Sequence, residues 1–210
     1  MSHFTCMVIG ENPEEQLRPF YENLETPRYV KYTKEQLIEK GKKDIERYKN
    51  GFYAEFLKDK EAYSIGCNVN RLNYISNEFP NHLTWSDDEI YADEIKNYEP
   101  NEIGSEGEVY SDSNPNSKWD WYSLGGRWSG SIELNNSKKV DSAIKKNISN
   151  LNDIVCFSII KDGKFYENGR MVWWGFVSDE KDESEWENEF KKLISDLPDD
   201  TLISIYDLHI

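Results

Sequence analysis

The stretch His3-Phe4-Thr5-Cys6-Met7-Val8-Ile9-Gly10 carries apolar side chains at both parities. A strand of that pattern is covered on both faces, so it belongs in the middle of a sheet. Asn12-Pro13 follows, an N-cap residue before a proline at the first helical position. Leu17, Phe20, Tyr21 and Leu24 then recur at helical spacing and define one apolar face. Much further along, Asp153–Ile160 reads as a second strand, Asp162-Gly163 as a hairpin turn, and the stretch around Met171–Val177, with Trp173 and Trp174, as a third strand. Ser184-x-x-Glu187 has the form of a capping box. Trp186, Phe190, Leu193, Ile194 and Leu197 form a helical stripe that Pro198 stops, and Thr201–Ile210 is the last strand. The order β-α-β-β-α-β predicts an α+β protein with a ferredoxin-like, split β-α-β antiparallel sheet. In that topology the first and last strands are antiparallel neighbours, which brings His3 beside His209.

The core then comprises 1–24 and 150–210 of a single domain, 1–210, with a long helical and loop insertion at 25–149. Helices are expected near 33–50, where Leu37, Ile38, Gly41, Ile45 and Tyr48 share a face, and near 86–98, opened by Ser86-x-x-Glu89. Residues 99–117, rich in Gly, Pro, Ser and Asn, read as a loop. A second small domain within 25–115 is the alternative organisation.

Hydrophobic residues are 37% of the chain and aromatics 14%, so large rings supply the core that aliphatic residues alone would not. The formal charge of −15 repels free nucleic acid in the mean field, and leaves open a local basic patch or an acidic surface that occupies a basic groove. Residues 86–112 carry ten acids and one lysine, a run that most often is a solvated face. Cys6, Cys67 and Cys156 are widely spaced, without a zinc-type pattern, and read as free thiols of a reducing compartment. No stretch approaches a membrane span, so no membrane partner is expected.

The densest chemical signal is Asn114-Pro115-Asn116-Ser117-Lys118-Trp119-Asp120-Trp121-Tyr122-Ser123-Leu124-Gly125-Gly126-Arg127-Trp128. Aromatic faces stack on bases, an arginine clamps phosphate or carboxylate, and paired glycines allow close backbone approach. Lys118, Trp119, Trp121, Tyr122, Gly125, Gly126, Arg127 and Trp128 are therefore candidate RNA- or nucleotide-binding residues. The alternative is a Trp-rich core turn with Arg127 paired to Asp120 or another acid. The glycine spacing fits neither a dinucleotide fingerprint nor a P-loop. A second constellation is His3, Asp207 and His209: Asp207 and His209 share strand parity, and two imidazoles with a carboxylate suit acid–base chemistry or a divalent metal.

Ser2-His3-Phe4-Thr5 with Val8-Ile9-Gly10, the block at 114–130, Trp173-Trp174-Gly175 and the ending Asp207-Leu208-His209-Ile210 together resemble a widespread family of small phage-encoded accessory proteins. The resemblance spans nearly the whole chain, with 25–113 its least informative part. It implies an anti-CRISPR-like inhibitor in the cytoplasm of an infected bacterial host, binding a CRISPR effector or another defence complex directly or through bound RNA. It carries over no catalytic residues and implies no cofactor. The runner-up expectation is a small histidine- or metal-dependent enzyme, or a nucleotide-binding protein, using His3, Asp207, His209 and Arg127. A third is a host-takeover binding protein without nucleic acid.

Overall fold

A computed structural model describes residues 2–171 and 177–210. The chain divides into two compact units, Met1–Thr26 with Ser113–Ile210, and Pro27–Asp112. Among the described residues no helix is long and apolar enough to cross a membrane.

The main sheet of the first unit is mixed and six-stranded, beside two short ribbons, Ile132–Glu133 with Lys139–Val140 and Arg170–Met171 with Val177–Ser178. The strands of the main sheet are β1 (His3–Ile9), β2 (Trp121–Leu124), β3 (Ser142–Ile144), β4 (Ser158–Lys161), β5 (Lys164–Glu167) and β6 (Leu202–His209). β1 is central, as its two-faced apolar pattern requires. It pairs antiparallel with β6, from His3 opposite His209 to Ile9 opposite Ile203. Its other edge runs parallel to β4, from Cys6 opposite Ser158 to Ile9 opposite Lys161. β5 follows β4 as a hairpin across Asp162-Gly163, both at positive φ. The far edge of β6 is shared by β2, opposite Tyr206–His209, and β3, opposite Leu202–Ser204.

The α+β class holds, and the strand order departs from the ferredoxin-like expectation. β4 lies beside β1 and parallel to it, where a split β-α-β arrangement sends the second strand to the edge and keeps the third beside the first. The sheet is therefore mixed, not antiparallel. The expected third strand at Met171–Val177 lies largely outside the described residues, including Trp173 and Trp174; Met171 and Val177 themselves pair antiparallel with each other. β5 takes the hairpin position instead. The expected insertion at 25–149 also shrinks, because β2 and β3 come from its C-terminal part and complete the sheet.

Parity along the strands creates two cores. Met7, Ile9, Ile159, Ile203 and Ile205 face Trp186, Phe190 and Ile194 of the helix Glu183–Ser195. Each such ring or branched chain contributes at most about 1.5–3 kcal/mol on burial. Trp186 also donates its indole N–H to the Cys156 carbonyl at 2.8 Å, so its polar atom is satisfied. The helix begins after Asp182, and the expected Ser184/Glu187 capping box does not form. The other face buries Phe4, Cys6, Val8, Ile160, Tyr206 and Leu208 against Leu17, Phe20 and Trp119.

The second unit is mostly helical. Lys34–Tyr48 starts at a full capping box, with Thr33 Oγ1 accepting from the Gln36 amide and the Gln36 side chain accepting from the Thr33 amide. Asp87–Glu94 starts at the corresponding Ser86/Glu89 box. Gly41 lets these helices approach closely: a Cβ there would lie 2.5 Å from Cγ2 of Ile90. After a kink at Gly51, short helices run over 54–82, interrupted by a π-helical turn at Tyr74–Glu78. Part of the expected 99–117 loop, Val109–Ser111, pairs with Tyr29–Tyr32 as a ribbon.

Candidate functional site

At the His3 end of β1 the sheet face that carries Met7 and Ile205 turns polar. His3, Thr5, Asp207 and His209 continue that face, and the register adds Trp121 opposite His209 and Ser123 opposite Asp207. Cross-strand partners share a face, so the topology gathers these residues from three segments. The expected meeting of His3 and His209 is observed, with ring centroids 4.9 Å apart at 69°.

Each imidazole has its own carboxylate. Nδ1 of His3 lies 2.7 Å from Oδ1 of Asp207, and Nδ1 of His209 lies 2.5 Å from Oδ1 of Asp120. A carboxylate facing Nδ1 holds the proton on that nitrogen, so Nε2 is the acceptor in the neutral ring. This is the orientation that serves a metal ligand or a general base. Nε2 of His209 is enclosed and meets no hydrogen-bond partner among the described residues. No group of three or more His, Cys, Asp or Glu among the described residues is arranged to hold a metal ion.

Asp207, 2% exposed, has a second task. Its Oδ2 accepts from the backbone N–H of Arg127 at 3.1 Å. That bond pins the short 3-10 turn Gly126–Trp128 onto the histidine pair. The two glycines are required by space and by backbone. Gly126 has φ +51°, and a Cβ there would fall 2.3 Å from Cβ of Asp207; Gly125 has φ +69°, and a Cβ there would fall 2.4 Å from the Asp141 carboxyl. Asp141 in turn accepts from the Gly130 N–H at 2.6 Å and from the Ser129 hydroxyl at 3.1 Å. The turn is thus fixed between two carboxylates.

The expected RNA-facing residues divide between core and surface. Trp119 is buried, stacked on Tyr21 at 4.7 Å, with its N–H donated to the Leu17 carbonyl at 3.2 Å. Tyr122 is half-buried against Trp119 and Tyr206, and burial raises its phenol above the ordinary range. Trp128 packs on the helix-covered core. Lys118 pairs with Glu167 at 2.5 Å. Trp121, 53% exposed, stands edge-on to His3 with ring centroids 6.3 Å apart. Arg127 is exposed, and its guanidinium makes no ion pair among the described residues; Asp120, its expected partner, serves His209.

No family model, curated protein or solved structure matches this chain. The site is therefore read from its own geometry. Three residues that organise it, two of them inside the tryptophan block, were not among the candidate site residues. Asp120 and Asp141 acquire their roles only through strand pairing. Asn114 donates its amide to the carbonyls of Pro19 and Tyr21, both at 2.8 Å, and so ties the chain after the first helix to the start of the tryptophan block.

Proposed function

We propose that the protein is a phage accessory protein of anti-CRISPR type, which antagonises host defence by binding a defence ribonucleoprotein through its RNA. The observation that carries this reading is the exposed Trp121 and Arg127 on a backbone latched from beneath. In a chain with 40 acids against 25 Lys and Arg, the Arg127 guanidinium meets no acid among the described residues, while Asp120, Asp141 and Asp207 are all engaged elsewhere. Trp121 pairs with His209, and the Arg127 backbone is bonded to Asp207 two residues away on the same strand; an exposed indole and a guanidinium held on one strand suit a base stacked on a ring with its phosphate clamped, in which each stack contributes roughly 1–3 kcal/mol. The resemblance to phage proteins at 114–130 supplies the biological context. Affinity purification from a lysate of cells expressing a CRISPR effector tests it, with mass spectrometry and ultraviolet absorbance read together. Effector subunits and RNA should accompany the wild-type chain. Their yield should fall about tenfold with Arg127→Ala or Trp121→Ala, as expected for the loss of one stack or clamp. A wild-type chain that retains neither would sink the proposal.

A second reading rests on the two aspartate–histidine pairs. Two imidazoles with fixed tautomers 4.9 Å apart suit a small hydrolase or a nucleotide-binding site, and His3 and His209 are the residues that would hold a divalent metal there. Enclosure of the His209 Nε2 places this reading second. Hydrolysis of a nucleotide phosphodiester, abolished by both His3→Gln and His209→Gln, would reverse the order.

A further inference from the structure

The helical unit Pro27–Asp112 contains a cleft of about 440 Å³. That volume lies within the range of roughly 300–1,000 Å³ typical of small-molecule sites. Its walls are aromatic: Tyr48, Phe52, Tyr74, Phe79, His82 and Trp85. Phe79 is buried, and Tyr48 packs on it with ring centroids 4.4 Å apart. His82 stacks on Trp85 at 3.7 Å and 22°. Burial holds the His82 imidazole below its ordinary range, so at neutral pH it brings no positive charge.

Four carboxylates also line the cleft: Asp44, Glu55, Asp93 and Glu94. Arg47 is the single lysine or arginine among its lining residues, and it pairs with Asp44 at 2.9 Å; Arg71, outside the lining, already lies over the Phe52 ring at 4.4 Å, which leaves Tyr48, Tyr74 and Trp85 as the walls open to a ligand. Asp93 and Glu94 have lysine partners, Lys96 and Lys40, neither of which lines the cleft. Glu55 enters no ion pair among the described residues.

The backbone adds an independent sign. A kink at Gly51 between two helices and the π-helical turn Tyr74–Glu78 contribute to the wall through Gly51, Phe52 and Tyr74. Gly51 stands at φ −96°, ψ −106°, away from helical values. A π-helical turn such as Tyr74–Glu78 interrupts regular hydrogen bonding and is of a kind that recurs at functional sites.

Aromatic faces present negative potential, and the acids add to it. We infer that this cleft binds a small free organic cation, a quaternary ammonium or amine, seated on the aromatic walls with Glu55 as its unpaired counter-charge. The site lies in a different unit from the Arg127 turn and does not depend on its reading.

Calorimetric titration of the full chain with choline and with its uncharged isostere, 3,3-dimethylbutan-1-ol, tests the inference. The cation should bind at least about tenfold more tightly than the isostere. Trp85→Leu should weaken choline about tenfold. Glu55→Gln, an exposed change that leaves the fold intact, should weaken it about threefold to tenfold at low salt. Equal binding of the isostere would reduce the cleft to an apolar hollow and overturn the inference. So would absence of binding by choline and by benzyltrimethylammonium alike. A peptide carrying trimethyllysine that binds where both free cations fail would also overturn it, by making the occupant a protein side chain.

Discussion

Asp207 shows how one side chain can hold a site together. Its two oxygens serve an imidazole from β1 and an amide from the glycine turn, while the side chain itself is almost wholly buried. Asp207→Ala leaves the His3 Nδ1 and the Arg127 N–H without acceptors, and should cost about 2–4 kcal/mol in urea denaturation. Asp207→Asn keeps one acceptor oxygen and should cost less. Gly126→Ala should destabilise as well, since its Cβ would strike Asp207 and its φ is left-handed. Near-neutral values for all three would show that the turn is held by something other than this carboxylate. The cysteines give a second test at the same scale. Burial pushes the Cys6 thiol to about 12 and raises Cys156 further still, whereas Cys67 is only half-buried. A raised pKa leaves almost no thiolate at pH 8, so Ellman's reagent should titrate one thiol in the native protein and all three in denaturant. Rapid reaction of Cys6 or Cys156 would contradict their placement.

At the scale of elements, capping separates helices that start on local chemistry from those that do not, among them Pro13–Leu17, whose expected cap Asn12 stands at φ +51° and makes no side-chain cap bond. Lys34–Tyr48 and Asp87–Glu94 each begin at a closed capping box. Thr33→Ala and Ser86→Ala should each cost about 1 kcal/mol, read as a loss of helical ellipticity at moderate urea. Glu183–Ser195 has no side-chain cap, and Ser184 lies inside its first turn. Ser184→Ala should therefore change stability by less than about 0.5 kcal/mol. A loss from Ser184→Ala as large as from Ser86→Ala would mean that a box forms there after all. The last helix instead draws on Trp186, Phe190 and Ile194, all buried against the sheet.

For the whole molecule, the division at Thr26 and Ser113 suggests two units that fold on their own cores. The Asn114 side chain bonded to Pro19 and Tyr21 brings the two ends of the sheet unit's chain break close together. Replacing 27–112 by a short Gly-Ser linker should leave a protein that unfolds cooperatively and keeps whatever binding the Arg127 turn provides. A product without cooperative unfolding would show that the sheet unit needs its inserted partner. Binding of choline should vanish in the same variant, because the aromatic cleft lies wholly within 27–112.

The chain's own pattern determined the central strand and the last strand: apolar residues at both parities in His3–Gly10 admit little but a doubly covered strand. Their antiparallel pairing was expected from a ferredoxin-like order that the sheet does not keep, and it is observed all the same. The pattern also determined the two boxed helices and the hairpin at Asp162-Gly163, because caps and turns are local chemistry. The helices over 54–82 were illegible, since their short, π-interrupted turns break the 3.6-residue rhythm on which such reading depends. The meeting of His3 with His209 followed from topology, and the rest of the site did not. Parity along a strand says that Asp207 faces with His209; only packing decides that it also receives Arg127 N–H, that Asp120 serves His209, and that Trp119 turns inward while Trp121 turns out. Those outcomes depend on which segment lies on the free edge of β6, a long-range choice fixed by the burial of the assembled sheet and not by any local propensity.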